Sequence, residues 1–517
     1  MNMTTENKNS KNKVIPVALF AVYAILTLIG AARHELWFDE AQAWTIARDN
    51  DIGGIFEQIH YEGHPPLWYM ILFVFSRLGF SCNIMPFISW FVTGLAAAIV
   101  MFKSPFSTVT KALLIFSGGF LYFNSVISRT YCLINLFFVL IAILFTKRKE
   151  HPVIFGILVA LLANTHVFVS GFIGAMGLIM LHDIYSDWKT NSTKKNILNL
   201  TGLAIAGIGV LMLIIPLIGS LGSNSSTQGA MYSIGGVLGA FTSSFQNISM
   251  SMLAGYMATP FFIGGIFACI FVSMIILMRH KTRPMLILTL SNLFYIITTE
   301  IFWRTIPNRA HMLVFMYFIT MWIAETEPEN KASAIWDKFN PKTDTKLIKS
   351  LLDKIKHYDL NFNKSYKTLL CTVLVCTIPV GVAYMGLDYV KSFSPSKQAA
   401  ELIRENLPED AILVCAFEPA PEVAAYLPEY QFYSYEESDF CTYDTHINHD
   451  NDPDNSYEIY NDLKDYENLY LIRVIPDIEA IESGRNIIFT VREYIPYGCN
   501  AAYIEVSTFD AEKEIIA

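Results

Sequence analysis

From about residue 14 to residue 387 the chain alternates long apolar runs with short polar breaks. Runs of roughly twenty residues with few charges are long enough to cross a bilayer as helices, whereas strands would be shorter and would alternate in polarity. Counted along the chain, the pattern predicts a polytopic α-helical membrane protein of about eleven spans. The run at 152–183 is long enough to cross twice, with Asn164-Thr165-His166 at the bend. Beyond about residue 391 the pattern shortens. A helix is predicted over 396–406, a short one over 421–427, and strands over 411–417, 431–435, 469–474, 486–491 and 501–506. The chain therefore divides into a transmembrane region, 1–390, with a polar linker at 326–366 inside it, and a small α/β domain, 391–517.

Charge orients these runs. Lys8, Lys11 and Lys13 precede the first run, which places the N-terminus in the cytoplasm and the loop after it outside. The first run reads as a retained span rather than a removed signal peptide, because no clear small-residue cleavage site follows it. If 65–80, 83–102 and 112–127 all crossed, Lys103, Lys111 and the 147–149 cluster would lie outside. If 65–80 instead lies along the outer interface, all of these, with Lys194, Lys195, Lys281 and Arg283, fall inside. The segment suits that place: it is short, opens on Pro65-Pro66 and carries Trp68, Tyr69 and Arg77. A last span over 369–387 then delivers the C-terminal domain to the extracytoplasmic side.

Composition agrees with the membrane reading: 53% of the 517 residues are hydrophobic, 16% are charged, and the mean hydropathy is +0.38. The net charge of −9 is segregated, with acids in the first loop and the tail and bases in a few short loops, and nothing in it suggests nucleic acid. Of the eight cysteines, Cys82, Cys132, Cys269, Cys371 and Cys376 lie in apolar segments as packing residues, and Cys415, Cys441 and Cys499 allow at most one disulfide.

The candidate chemistry converges on the outer face. The first loop carries Asp39 and Glu40, then Glu62 and His64; Arg129, His166, Arg304, Arg309 and His311 fall at later outer turns. Ionisable groups at a membrane edge are costly and mark function by default. Three arginines on the side that basic loops avoid fit a buried anion, since guanidinium forks pair with phosphate. The chemistry suggested is attack on a phosphate-activated carbon, with a carboxylate as general base. Plainer roles stay open. The acidic pair would also suit a helix N-terminus, His64 a turn cap, Arg129 a snorkelling position, and His166 simple packing. Asp39, Glu62, His64 and His166 are ligand types that suit a divalent cation, but no tight spacing supports a metal site.

WFDEAQAW at 37–44 with GHPPLWY at 63–69, then SRTY at 128–131, then THVF at 165–168, resemble the GT-C glycosyltransferases, and within them the protein O-mannosyltransferase and aminoarabinose-transferase branch (glycosyltransferase family 39-like). The resemblance runs from about residue 14 to residue 322. It implies inverting transfer from a polyprenyl-phosphate sugar to a glycan, lipid or protein acceptor outside the cytoplasm, at a cell membrane. On that reading Asp39 activates the acceptor, Glu40 shapes the site, Arg129 and Tyr131 lie near the donor, and Arg304, Arg309 and His311 lie close to the lipid phosphate. An interfacial helix after the Asp-Glu loop is also implied. The 223–253 loop has no basic residue, where the aminoarabinose branch would be expected to have an arginine, so the sugar stays open. The rival class is a transporter or flippase for a lipid-linked or anionic substrate, which would show ionisable or helix-breaking residues near mid-membrane.

Overall fold

The computed structural model describes residues 3–223, 261–278, 281–301, 307–327, 362–415, 420–445, 456–475, 486–492 and 503–509. Arg304, Cys499, most of the 223–253 loop, most of the 326–366 linker and part of the acidic run of the tail lie outside the described residues. The chain is largely helical, with a small C-terminal sheet. Among the described residues, five helical segments are long and apolar enough to cross a membrane: Val14–Arg33, Cys82–Lys103, Val167–Asp187, Thr193–Ile218 and Lys364–Val390. Shorter apolar helices, including Tyr131–Lys147 and Pro152–Ala163, fill the bundle between them.

Helix α1 (Met3–Arg33) leads through four extended residues into the first loop, which folds as three short helices. These are α2 (Phe38–Asp49), α3 (Ile52–Glu62) and α4 (Leu67–Arg77). Each boundary has a local cause. Glu40 reaches back to the Trp37 backbone N–H at 3.2 Å and so caps α2. The Asp51 carboxylate accepts from Gly54 N–H at 2.8 Å and caps α3. Gly63, at φ +65°, closes α3 in the left-handed conformation that glycine adopts without penalty. Pro65-Pro66 then starts α4, which is about 16 Å long, roughly half the hydrocarbon thickness. It packs Trp68, Tyr69 and Leu72 inward and leaves Val74 and Leu78 exposed.

Next come α5 (Met85–Lys103) and α6 (Thr108–Ile115). The apolar pattern predicts one span over 112–127; the structure breaks it. After α6 a π-turn spans Gly119–Phe123, and irregular chain leads on to Arg129. The cause is close packing. A Cβ at Gly118 would stand 2.8 Å from the His311 ring and 3.0 Å from the Thr377 carbonyl, so neighbouring helices approach where the glycines leave room.

The bundle continues through α7 (Tyr131–Leu144), α8 (Pro152–Ala163), α9 (Ser170–Asp187), α10 (Thr193–Ser223), α11 (Phe261–Leu277) and α12 (Thr282–Ile301). It closes with α13 (Pro307–Thr326) and α14 (Phe362–Val390). The predicted bend at 164–166 is present between α8 and α9. Helices α8 and α10 touch backbone to backbone, since a Cβ on Gly156 would fall 2.1 Å from the Gly202 carbonyl. Helix α13 is buried on every side from Arg309 to Ala324, and is the central post of the bundle.

The tail starts with α15 (Ser396–Asn406) and builds six strands: β1 (Ile412–Cys415), β2 (Gln431–Ser434), β3 (Asp439–Phe440), β4 (Leu469–Ile475), β5 (Ile487–Arg492) and β6 (Tyr503–Thr508). Their order is β3-β2-β1-β4-β6-β5. The three strands β2, β1 and β4 are parallel and the other pairings antiparallel. The segment between β1 and β2 sits on the first loop: Tyr426 Oη accepts from Leu36 N–H at 2.8 Å, and Arg48 donates to the Ala424 carbonyl at 2.9 Å.

Candidate active site

Glu40 and Asp39 are neighbours with opposite surroundings. The Glu40 carboxylate is buried and accepts from His34 Nε2 at 2.9 Å, from Trp37 N–H, and from Ser128 N–H in the turn before α7. Asp39 comes one residue earlier on the first turn of α2, and its side chain is 35% exposed. The two carboxylates that the sequence pairs thus separate into one held inside and one left open.

Arg129 binds the open one. Its guanidinium donates to the Asp39 backbone carbonyl, lies 3.6 Å from the Asp39 carboxylate, and reaches His64 Nε2 at 3.4 Å. His64 Nδ1 lies 2.8 Å from the Glu62 backbone carbonyl. That oxygen can only accept, so Nδ1 carries the proton and Nε2 accepts from Arg129. Burial, and then the nearby Arg129 charge, push His64 down to about 4, so it is neutral at physiological pH. Burial raises the cost of the Arg129 charge, yet Asp39 together with Tyr131, Tyr69 and Glu62 outweighs it, and Arg129 stays firmly protonated.

The opposite wall is aromatic and cationic. His166 stacks on Tyr131 with ring centroids 5.4 Å apart and meets His64 edge-on at 5.7 Å. Its Nδ1 accepts from Phe168 N–H at 3.3 Å. Burial, with Arg309 next, holds His166 well below the usual histidine range. Arg309, in the first turn of α13, lies 3.4 Å from Tyr131 Oη and over the Phe168 ring at 5.4 Å. Glu62 flanks the site, bound by Gln42 Nε2 at 2.7 Å and Tyr69 Oη at 3.2 Å. Gln42 also ties in the tail, donating to the Asp444 carbonyl at 2.6 Å and accepting from its N–H at 3.0 Å.

The structure thus gathers Asp39, Glu62, His64, Arg129, Tyr131, His166 and Arg309. It does not gather His311. Two residues past Arg309 on the same helix, His311 faces elsewhere and stacks on Phe123 at 5.0 Å against Gly118 and Gly119. Its ring packs there, away from the His166–Tyr131 wall. Among the described residues no three His, Cys, Asp or Glu side chains form a group that could hold a metal ion. Sequence reasoning passed over His34, Gln42 and Asp388, and read Tyr69 as an interface aromatic rather than a site residue. A signal existed for Asp388, an acid at the very end of the last apolar run.

These features define a helical protein of membrane type with a half-open carboxylate and two arginines at one end of its bundle. The sequence matches no family model and none of the curated proteins compared. Similar solved structures include ArnT from Cupriavidus metallidurans in the apo state, with a TM-score of 0.43 and 12% identity over 95% of this chain and 97% of that one. ArnT from the same organism bound to undecaprenyl phosphate gives the same score and identity over 96% and 98%.

Proposed function

We propose that this chain is a membrane glycosyltransferase that moves a sugar, with inversion, from a polyprenyl-phosphate donor to an acceptor on the extracytoplasmic face. The observation that carries the reading is the half-open Asp39 carboxylate lodged against the Arg129 guanidinium, with Arg309 on the facing wall. Asp39 takes the proton from an acceptor hydroxyl or amine. The acceptor atom attacks the anomeric carbon from the face opposite the phosphate, and the C–O bond to phosphate breaks with its electron pair leaving on the lipid phosphate. Arg129 and Arg309 stabilise that departing charge, and the neutral imidazoles of His64 and His166 line the cleft without adding charge. Glu40, buried and fully engaged, shapes the turn rather than moving a proton. A transporter would show ionisable or helix-breaking residues at mid-span; among the described residues the charged Arg148, Asp183, Arg309 and Asp388 lie at or near helix ends, while the turn at Gly119–Phe123 interrupts an apolar run.

The test is transfer from a panel of polyprenyl-phosphate sugars by purified protein. Asp39→Asn lowers turnover by about 10²–10⁴-fold while expression and membrane insertion hold. Full activity in that variant overturns the mechanism.

A further inference from the structure

A second buried cluster lies beneath Asp39, and the reaction does not use it directly. The His34 side chain is closed off from solvent between two carboxylates, with Nε2 2.9 Å from Glu40 and Nδ1 3.0 Å from Asp388. Ionised carboxylates only accept hydrogen bonds, so both ring nitrogens must donate and the imidazole is a cation. Burial favours the neutral ring, but Glu40 and Asp388 outweigh it and raise His34 to about 10. Tyr122 Oη donates to Asp388 at 3.1 Å, and the Phe393 ring covers the imidazole at 4.8 Å. The partners come from distant parts of the chain: Glu40 from the first turn of α2, Asp388 from the end of α14. A second strap runs beside it, where Arg33 donates to the Tyr389 carbonyl at 2.7 Å.

Buried ion pairs add little net stability over well-packed apolar side chains, but they demand a defined geometry. Here the geometry is set one residue from the proposed base. We propose that His34 is a positioning residue: by bridging Glu40 to Asp388 it pins the first turn of α2 to the end of the last long apolar helix, and so fixes where Asp39 stands. The catalytic consequence rests on the glycosyltransferase reading; the positional one does not.

The experiment therefore has two arms. In the full-length protein carrying Asp39→Cys, a water-soluble maleimide reports how freely position 39 is presented, with the parent chain as background. Adding Asp388→Asn, which keeps the shape of the side chain, raises the labelling rate at least about threefold as the turn loosens. Adding Asp183→Asn, at the far end of the bundle, leaves it unchanged and controls for general destabilisation. His34→Ala serves as a second variant if it folds. In the chain with Asp39 intact, Asp388→Asn lowers kcat about tenfold with little change in the acceptor KM, as expected when a base is misplaced and the groups that bind the acceptor stay in place. Unchanged labelling in Asp388→Asn, or an equal rise in Asp183→Asn, overturns the positioning role whatever the chemistry proves to be. Activity that survives Asp39→Asn overturns only the glycosyltransferase reading.

Discussion

The helices that carry the candidate site at one end carry a second charged cluster at the other, and the two ends are built in opposite ways. Arg129 precedes α7 and Arg148 follows it; His166 precedes α9 and Asp183 sits in its last turn; Arg309 opens α13 and Glu327 follows it. At the far end the charges close on one another. Arg148 binds Asp183 at 2.7 Å, Arg283 binds Asp183 at 3.1 Å and also Glu327, and Lys149 binds Asp187 at 2.8 Å. At the site end the corresponding pair is loose: Arg129 and Asp39 stand 3.6 Å apart, with the carboxylate partly open. The same residue types make a latch where they close on one another across helices and a looser, partly open pair at the other end. A buried cation whose demand is already met has nothing to offer a ligand.

The comparison breaks most readily at Asp183. Asp183→Ala leaves Arg148 and Arg283 crowded around a vacated carboxylate, and the loss is about 3–5 kcal/mol of stability. It is read as a drop in the thermal midpoint of the detergent-solubilised protein, while turnover per folded molecule holds. If turnover collapses and stability does not, the assignment of roles to the two ends is reversed. Arg129→Lys tests the other end. A lysine keeps the charge but loses the planar fork that spans the Asp39 carbonyl and His64, so transfer falls about 100-fold with the thermal midpoint nearly unmoved. A loss of stability without loss of rate would make Arg129 part of a second latch.

The sequence made much of this division readable and hid specific parts of it. The helix at 396–406, the bend at 164–166 and the short helix after Pro65-Pro66 follow from local signals: amphipathic spacing, a polar break in an apolar run, and a turn that only glycine and proline make cheaply. Asp39, His64, Arg129, His166 and Arg309 were legible because charge at a membrane edge needs a reason. The break after α6 was not, because Gly118-Gly119 leaves an apolar run looking continuous and the cause is a helix packed against it from residues 362–390. Nor was the packing that gives Asp39 and Glu40 their different surroundings legible. It depends on His34 and Asp388, which are 354 residues apart and share no local pattern. The direction of His311 was hidden for a related reason: it shares a helix turn with Arg309, and only the packing decides which way each side chain points.

The smallest effect expected reports how His64 responds to burial and to the arginines around it. In the folded protein His64 is held neutral down to about pH 4, whereas in the unfolded chain it takes up a proton near 6.5. Between those values the unfolded state binds more protons, so stability rises with pH across the window and is lost as pH falls through it. Protonation would place a further cation beside Arg129 and remove the Nε2 acceptor that Arg129 uses. His64→Asn keeps a small polar side chain at the turn and cannot titrate, so its thermal midpoint should depend less steeply on pH between about 4 and 6.5 than that of the parent. Parallel curves for the two proteins would mean that His64 does not feel burial and the arginines as its geometry implies.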